Sequence, residues 1–227
     1  MFNDLEKKIN IKFKDRKLLE NIFTHRSFLN EHKKFYLPSN EKLEFLGDSV
    51  LSLITSIYLY KNYPHLKEGD YTDIKSAIVR GESLSEAAKQ LKLGLYLFLS
   101  NGQDKEGGRQ NSNILADCFE ALIAGIFIDC GFDCSYDFVV KYLFGKKLDL
   151  IIKSKLYLSP KSRLQEYAQA KNKTTPKYKI LEEKGPEHKR TFKIGVYIND
   201  KYITYAAGSS KKEAEENAAK IALEKLK

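Results

Sequence analysis

The feature that most constrains the fold of this chain is a change of hydrophobic periodicity near residue 154. From Leu18 to about Leu150, apolar residues return every three or four positions, which is typical of amphipathic helices. Between Thr191 and Asn199 they alternate with other residues, as they do in a half-buried strand. Because the two periods occupy separate segments, we predict an all-α domain followed by a smaller domain that contains a sheet.

The smaller domain is predicted to have the order α-β-β-β-α. Its helices are expected over residues 160–170 and after Ser210, where Glu213 completes a capping-box pattern. The strands are expected over residues 177–183, 191–199 and 202–207, with a turn at Asn199 and Asp200. Both helices on one face of the sheet would bury a shared apolar set: Ile194, Val196, Ala214, Ala218, Ile221 and Ala222. The predicted fold class is mainly α, with domains at residues 1–153 and 160–227 and a linker at residues 154–159.

The positive charge of the chain is concentrated after residue 153. The net charge is +9 over 227 residues, yet the first 153 carry 22 basic and 21 acidic residues, while the last 74 carry 17 and 9. A basic module of this kind favours a polyanionic partner, with nucleic acid as the first candidate. A merely soluble basic surface would carry the same charge, so charge alone leaves both interpretations open.

The chain shows no obvious membrane signal. No apolar run approaches the roughly 20 residues that cross a bilayer, and the first residues lack the basic and apolar sections of a signal peptide. We therefore expect a cytoplasmic protein without a membrane partner.

Three carboxylates share one face of a predicted helix that begins after Asn40, a candidate N-cap. At about 100° per residue, Glu41, Glu44 and Asp48 fall within roughly 60° of arc. No lysine or arginine stands three or four residues further along to pair with Glu44 or Asp48. These three carboxylates form either a solvated acidic face or a face that is neutralised by a cation from outside this helix.

A second acidic pair, Asp117 and Glu120, lies one turn apart on a predicted helix that is otherwise apolar. Its small residues, Gly125 among them, would let another helix approach, and buried carboxylates rarely occur without a partner or a metal. If the two helices pack together, they form an oxygen-only cage that suits Mg²⁺, with Mn²⁺ as a substitute. The cage residues would be Glu44, Asp48, Asp117 and Glu120, with Glu68 at the rim. Structural ion pairs and helix caps explain the same spacing, so that alternative stays open.

Four segments resemble the landmarks of the ribonuclease III family, in the same order. The segment from Asn40 to Leu51, NEKLEFLGDSVL, closely resembles the defining motif and is highly specific. The other matching segments are Thr24–Ser27, Glu68–Asp70 and Ile114–Leu122. The basic module after residue 159 resembles a double-stranded-RNA-binding domain, so the likeness extends over nearly the whole chain.

The resemblance implies an all-α endonuclease domain that works as a homodimer on double-stranded RNA. The matching metal-binding and catalytic carboxylates are Glu44, Asp48, Asp117 and Glu120. Asp48 and Glu120 are the most directly catalytic of these, and Glu41 and Glu68 match supporting acidic positions. An apolar dimer interface is expected in the regions of residues 45–51 and 116–128.

Hydrolysis of a phosphodiester fits this set of oxygen donors. Two carboxylate-held metal ions about 4 Å apart can neutralise the phosphate, activate a water and stabilise the departing 3′ oxygen. We therefore predict in-line hydrolysis to 5′-phosphate and 3′-hydroxyl ends, which the resemblance also implies. His25 could serve as a base, but a hydrogen-bonded structural histidine is the favoured interpretation.

The C-terminal module is expected to contact RNA at three places, because such modules span two minor grooves and the phosphates between them. The expected contacts are Gln165 and Glu166 in one groove, Pro186 and His188 in the next, and Lys211 and Lys212 on the phosphates. Lysines at a helix N-terminus oppose the helix dipole, which favours a ligand there over a merely solvated helix end.

Two positions depart from the family pattern. Glu215 stands where many such modules carry a further lysine, which predicts either weaker phosphate binding or binding that relies on neighbours such as Lys220. Asn111 stands where relatives often have a basic residue, which leaves Arg109 as the nearer candidate for an RNA contact.

Two other functions stay open on sequence alone. A non-catalytic double-stranded-RNA-binding scaffold would keep the fold, but six acidic positions without metal would crowd like charges. A metal-dependent enzyme for another acidic substrate explains the carboxylates but not the basic module. A Mg²⁺-dependent endoribonuclease explains both, and the resemblance implies ribosomal precursors and structured messenger or regulatory RNAs as its substrates.

Overall fold

The computed structural model describes residues 2–186 and 190–226. The chain divides into two compact units, Met1–Ile152 and Lys153–Lys227. The first unit is helical, and the second has the order helix, three strands, helix. The predicted fold class, a mainly α chain that ends in an α-β-β-β-α module, is confirmed.

The helices before the second unit's sheet are short to medium in length. They are α1 (Asn3–Ile9), α2 (Arg16–Ile22), α3 (Arg26–Glu31), α4 (Glu41–Asn62), α5 (Glu68–Ile78), α6 (Gly81–Leu91), α7 (Asn101–Lys105), α8 (Ser112–Cys130), α9 (Phe132–Val139), α10 (Gly145–Lys153) and α11 (Pro160–Asn172). The strands and the last helix are β1 (Lys177–Lys184), β2 (Thr191–Ile198), β3 (Lys201–Gly208) and α12 (Lys211–Leu226).

Helices α4 and α8 pack against each other in the core of the first unit. Side chains of α8 such as Phe119, Leu122 and Ile123 are fully buried, and α4 contributes Leu51 and Ile54. Burial of these apolar side chains stabilises the pair by about 1.5–3 kcal/mol for each large residue. The helix pair thus forms a rigid support for whatever polar groups it carries.

Asn40 does not cap α4 with its side chain, so that prediction is wrong. The residue is buried, and its Nδ2 donates to the carbonyl of Ile22 at 3.0 Å. Its backbone N–H donates to the carbonyl of Thr24 at 2.9 Å. The amide is therefore used to fix the start of α4 against the end of α2.

Helix α4 has the length and mean hydropathy of a possible membrane span, which the sequence analysis did not anticipate. It packs on α8 along one side and carries Glu41, Glu44 and Asp48 on another. A core helix of a folded domain passes the same test of length and composition, so α4 is not a convincing membrane span.

The second unit contains an antiparallel sheet in the order β1-β2-β3. The predicted turn between β2 and β3 is confirmed, with positive φ values of 51° at Asn199 and 62° at Asp200 that suit a tight hairpin. The predicted core is confirmed as well: Ile194, Val196, Ala214, Ala218 and Ala222 are buried, and Ile221 packs against them half-buried. Both helices lie against the face of the sheet that carries these residues.

Each helix of the second unit begins at a serine cap. The Oγ of Ser159 accepts from the N–H of Ser162 at 3.2 Å, ahead of Pro160 in the first turn of α11. At α12, the Oγ of Ser210 accepts from the N–H of Glu213 at 3.1 Å, as the capping-box pattern predicts. The carboxylate of Glu213, however, accepts from the N–H of Ser209 at 2.7 Å, so the return bond lies one residue earlier than predicted.

Candidate functional site

Three carboxylates meet where α4 packs against α8. Glu44, Asp117 and Glu120 each offer one oxygen, and these atoms lie within 4.8 Å of one another. All three side chains are half-buried. A set of carboxylate oxygens this close, without sulfur or imidazole, suits a hard divalent cation.

The close approach of the two helices depends on Gly47. A Cβ atom built at this position would lie 1.9 Å from the carbonyl oxygen of Glu120. Only a residue without a side chain lets α4 come this near to the backbone of α8. The sequence predicts that the small residues of α8 allow this approach. Gly125 of α8 instead faces Ile22 of α2, and the glycine at the contact between the two helices is Gly47 of α4.

The protonation of the cluster is strongly perturbed. Burial, reinforced by the charges of Asp48, Glu44 and Asp117, raises the pKa of Glu120 to about 8. Burial also raises the pKa of Glu44, with Asp117 and Glu41 acting in the same direction, and burial raises the pKa of Asp117. The fold therefore gathers negative charge that it does not neutralise, and a bound cation would relieve that cost.

Arg26 supplies the nearest basic group, and sequence reasoning assigned it no role. Its Nη1 lies 3.5 Å from the Oε1 of Glu41, and its charge lowers the pKa of Glu44 and of Asp117 against the larger effect of burial. Arg26 belongs to the Thr24–Ser27 segment that the sequence singled out, but only the tertiary fold shows that this segment lies beside α4.

The remaining predicted acidic residues surround the cluster at different distances. Asp48 is exposed, and its charge acts on Glu120. Glu41 is exposed and accepts from the Oγ of Ser39 at 2.7 Å. Glu68, at the start of α5, accepts from the Oγ1 of Thr72 at 3.1 Å. None of these three belongs to the group of carboxylates within 4.8 Å among the residues that the structure describes.

A polar cleft of about 670 Å³ opens beside the cluster. Glu44 and Asp117 form one part of its wall, and Arg26, Asn30 and Asn113 contribute hydrogen-bonding groups. The cleft is large enough for a phosphate and its sugars and is lined mainly by polar side chains.

His25 is held by its own local contacts. His25 caps α3: its Nδ1 accepts from the N–H of Ser27 at 3.2 Å and also lies 2.8 Å from the Oγ of Ser27. Burial and the charge of Arg26 lower the pKa of the imidazole. These contacts favour the structural interpretation of His25 over a catalytic base.

Arg109 and Asn111 serve the fold around the start of α8. The guanidinium of Arg109 bonds both oxygens of Asp104, at 2.8 and 2.9 Å, and the carbonyls of Gly94 and Leu97. Asn111 caps α8 by accepting from the N–H groups of Asn113 and Ile114. With its donors engaged internally, Arg109 is poorly placed for the RNA contact that the sequence suggested.

An exposed apolar stripe runs along the outward side of α4. Phe45 is 78% exposed and Tyr60 is 75% exposed, and Leu53 lies between them on the same side. The other predicted dimer region, residues 116–128, is mostly buried in the core of its own unit, with Ile128 exposed near its end. Helix α8 packs against α4 and α6, which leaves little of this region exposed, and the interface over residues 116–128 stays a prediction.

The predicted RNA contacts of the second unit lie at its surface. Gln165 and Glu166 are exposed on α11, and Glu166 pairs with Lys155 at 2.5 Å. Lys211 and Lys212 are exposed at the start of α12, with the Nζ of Lys211 5.6 Å from the ring centroid of Phe192. Pro186 is exposed in the loop after β1, and His188 lies outside the described residues.

Glu215 has a partner within the fold. Its Oε2 lies 2.5 Å from the Nζ of Lys161, which joins the starts of α11 and α12. The same ammonium lies 5.0 Å from the ring centroid of Tyr178. Glu215, which stands on α12 where a further lysine was expected, therefore pairs with a lysine of α11.

Comparisons with known proteins agree over both units. Residues 15–147 match the family model described as ribonuclease-III-like, and residues 160–226 match the double-stranded RNA binding motif. The chain is 43% identical to Ribonuclease 3 of Treponema denticola, over 98% of this chain and 90% of the relative. It is 43% identical to Ribonuclease 3 of Chloroflexus aurantiacus, over 97% of this chain and 89% of the relative. A solved nuclease domain of ribonuclease III from Campylobacter jejuni, which has a region involved in dimer formation, is similar with a TM-score of 0.59 and 32% identity, over 63% of this chain and 96% of that domain.

Proposed function

The chain belongs to the ribonuclease III family and is an endoribonuclease of double-stranded RNA, and we propose that it cuts its substrate at the carboxylate cluster of α4 and α8 with Mg²⁺ as cofactor. The observation that carries this proposal is the convergence of Glu44, Asp117 and Glu120 within 4.8 Å. Among the residues that the structure describes, no lysine or arginine forms an ion pair with any of the three. A structural ion-pair network would supply such cations, so this arrangement favours a metal site.

Each acidic residue has a distinct proposed role. Glu44, Asp117 and Glu120 ligate the metal directly, and Asp48, exposed beside Glu120, ligates it or orients the attacking water. Glu41 and Glu68 support the site, Glu41 by holding Arg26 at the edge of the cleft. A bound divalent cation supplies charge neutralisation at the phosphate and a more acidic water, with Mn²⁺ as a substitute for Mg²⁺. We propose 5′-phosphate and 3′-hydroxyl products.

The second unit is proposed to hold the duplex by its shape. Gln165 and Glu166 would reach one minor groove, Pro186 and His188 the next, and Lys211 and Lys212 the phosphates between them. We propose residues 1–153 as the catalytic domain, 154–159 as the linker and 160–227 as the RNA-binding domain. The Glu166–Lys155 pair must open or reorient for Glu166 to accept a ribose hydroxyl.

We further propose that the protein acts as a homodimer. One active site cuts one strand, so a two-fold pair of sites is needed for a double-strand cut. The stripe of Phe45, Leu53 and Tyr60 on α4 supports this proposal, because large apolar side chains exposed on one helix side are typical of an interface. We propose cytoplasmic processing of ribosomal precursors and of structured messenger, transfer and regulatory RNAs.

Gel analysis of a labelled long RNA duplex tests the proposal. We expect shortening of the duplex in Mg²⁺ but not in Ca²⁺ or EDTA, and no shortening of a single strand. Glu120→Gln should reduce the rate by on the order of 10³-fold or more while duplex binding is kept, because it removes a metal ligand and leaves the second unit intact. Duplex binding without cleavage by the folded, dimeric parent protein would contradict the proposal, and cleavage in EDTA would contradict the metal requirement.

A further inference from the structure

The outer face of the second unit's sheet carries a group of side chains that the duplex contacts do not use. Residues 192, 194, 196 and 198 of β2 point toward the helices and are buried. The alternate residues of β2 and their cross-strand partners therefore face away from α11 and α12. The side chains on this outer face include Lys179, Leu181, Lys193, Tyr197, Tyr202 and Tyr205.

Three tyrosines form the aromatic part of this face. The rings of Tyr197 and Tyr202 lie edge to face with centroids 5.5 Å apart. Tyr205 pairs across the strands with Gly195, and the side chain of Leu181 lies over that glycine. Tyr202 is 47% exposed and Tyr205 is 48% exposed, so solvent reaches both rings.

Two lysines lie over these rings. The Nζ of Lys193 is 4.2 Å from the ring centroid of Tyr205, and the Nζ of Lys179 is 4.9 Å from that of Tyr197. Within the part of the chain that the structure describes, neither ammonium has a carboxylate within 4 Å. The nearby carboxylates are already paired, Asp200 with Lys177 at 2.9 Å and Glu182 with Lys184 at 2.5 Å.

We propose that this face binds single-stranded RNA. Stacking of bases on exposed aromatic rings, with lysines beside them for the phosphates, is how sheet surfaces hold unpaired strands. The charge is complementary to a phosphate backbone, because the two ammonium groups stand next to the rings without a direct carboxylate partner, while Glu182 and Asp200 nearby bond to Lys184 and Lys177. Lysine is depleted at the core of protein–protein interfaces, whereas here two lysines lie directly over the exposed rings, which favours RNA over a protein partner.

This site is separate from the proposed duplex contacts. Those contacts lie on α11, at the start of α12 and in the loop after β1, while the tyrosines lie on the opposite side of the sheet from both helices. One module could therefore hold a duplex and an adjoining unpaired strand. The enzyme would thereby favour duplexes that carry single-stranded flanks over blunt ones.

The test measures binding of the full chain to a fluorescent oligouridylate of about 12 nucleotides, in EDTA so that no cleavage occurs. The variant Tyr202→Ser/Tyr205→Ser should weaken this binding at least tenfold and leave the affinity for a duplex of about 20 base pairs unchanged. Tyr202→Phe/Tyr205→Phe should bind as the parent does, because it keeps the rings. Tyr36→Ser is the matched control, since Tyr36 is similarly exposed in the first unit.

A second pair of measurements separates the two sites. Lys211→Ala/Lys212→Ala should lose duplex affinity and keep the affinity for oligouridylate. An abasic strand of the same length should bind at least tenfold more weakly than oligouridylate to the parent. The unchanged duplex affinity of the tyrosine variant shows that its second unit is folded.

Any of four outcomes would overturn the inference. In the first, the tyrosine variant binds oligouridylate as tightly as the parent does. In the second, the parent binds the abasic strand as tightly as oligouridylate. In the third, excess duplex displaces the oligouridylate in full. Displacement by polyglutamate, with an equal loss of polyglutamate binding in the tyrosine variant, would instead make the face a site for acidic proteins. Failure of duplex cleavage by the parent would contradict the proposed function alone, because none of these binding measurements depends on cleavage.

Discussion

The carboxylate cluster of the first unit and the RNA-binding surface of the second unit are built in opposite ways. Glu44, Asp117 and Glu120 sit on two helices that bury each other, and their mutual repulsion is left uncompensated within the cluster. The charged residues of the second unit are exposed at helix ends, and several already have partners, as Glu166 has Lys155. The proposed catalytic site thus holds one sign of charge in a fixed place, whereas the proposed binding surface spreads its charges where solvent screens them. Changes in the first should act on rate, and changes in the second on affinity and its salt dependence.

Apart from that of Glu120→Gln, the largest effect is expected from Gly47→Ala, which tests whether the cluster depends on close helix packing. The added Cβ would lie 1.9 Å from the carbonyl oxygen of Glu120, so α4 and α8 must separate. A displacement of about 1 Å at the carboxylates should lower the cleavage rate by about 10²-fold, and the overpacking should cost about 1–3 kcal/mol of stability. Single-turnover cleavage and thermal unfolding measure the two effects.

Gly81→Ala is the matched control for that change, because a Cβ at Gly81 meets no atom within 4 Å. Its cleavage rate should equal that of the parent. Duplex affinity should be unchanged in both variants, since the second unit is untouched. Parent-like cleavage by Gly47→Ala would show that the carboxylates work without the tight contact of α4 and α8.

The difference between the buried cluster and the exposed surface also explains how much of each region the sequence could predict. Helical periodicity placed Glu44 and Asp48 on one side of α4, and Asp117 and Glu120 one turn apart on α8, because spacing within a helix is fixed by its geometry. The role of Arg26 and the contact at Gly47 depend on which helices become neighbours, and periodicity carries no information on that. The strands and the hairpin turn of the second unit followed from alternation and turn residues. The pairing of Glu215 with Lys161 joins two helices far apart in sequence, so no local pattern could indicate it.

The next largest effect is expected from Lys211→Ala/Lys212→Ala in the second unit. Loss of two phosphate contacts should weaken duplex binding by about tenfold and lower the slope of log affinity against log salt by about two. The cleavage rate at saturating duplex should stay that of the parent. Lys225→Ala, at the other end of α12, should change neither quantity. An unchanged salt slope in the double variant would contradict the assignment of these lysines to phosphates.

A smaller effect of opposite sign is expected from Glu215→Lys. The change breaks the pair with Lys161 and places a further cation two turns or less from Lys211 and Lys212. Duplex affinity should rise by about threefold with a salt slope steeper by about one, and the lost pair should cost about 0–1 kcal/mol of stability. Glu224→Lys makes the same charge change at the exposed far end of the helix and should raise affinity less. Equal gains in the two variants would show that net charge, not position, sets the affinity.

The smallest expected effect is a pH dependence of stability that belongs to the first unit alone. Glu120 has a pKa of about 8 in the folded protein against an ordinary value of 4.5, so the folded state binds more protons than the unfolded chain between these values. The free energy of unfolding in EDTA should therefore fall as the pH rises from about 4.5 through about 8. Because Glu120 is partly exposed, solvent screening reduces the effect to a few degrees in Tm.

The variant Glu120→Gln removes the titrating group, so its Tm should match the parent's near pH 5 and exceed it near pH 9. The control is Glu106→Gln, which changes an exposed carboxyl of the same unit and should follow the parent. Mg²⁺ should raise the Tm of the parent near pH 8 more than that of Glu120→Gln, since the metal binds the deprotonated carboxylates and competes with the proton. Parallel curves for the parent and Glu120→Gln in EDTA would contradict the account of a buried, like-charged cluster and would remove the main contrast between the two units.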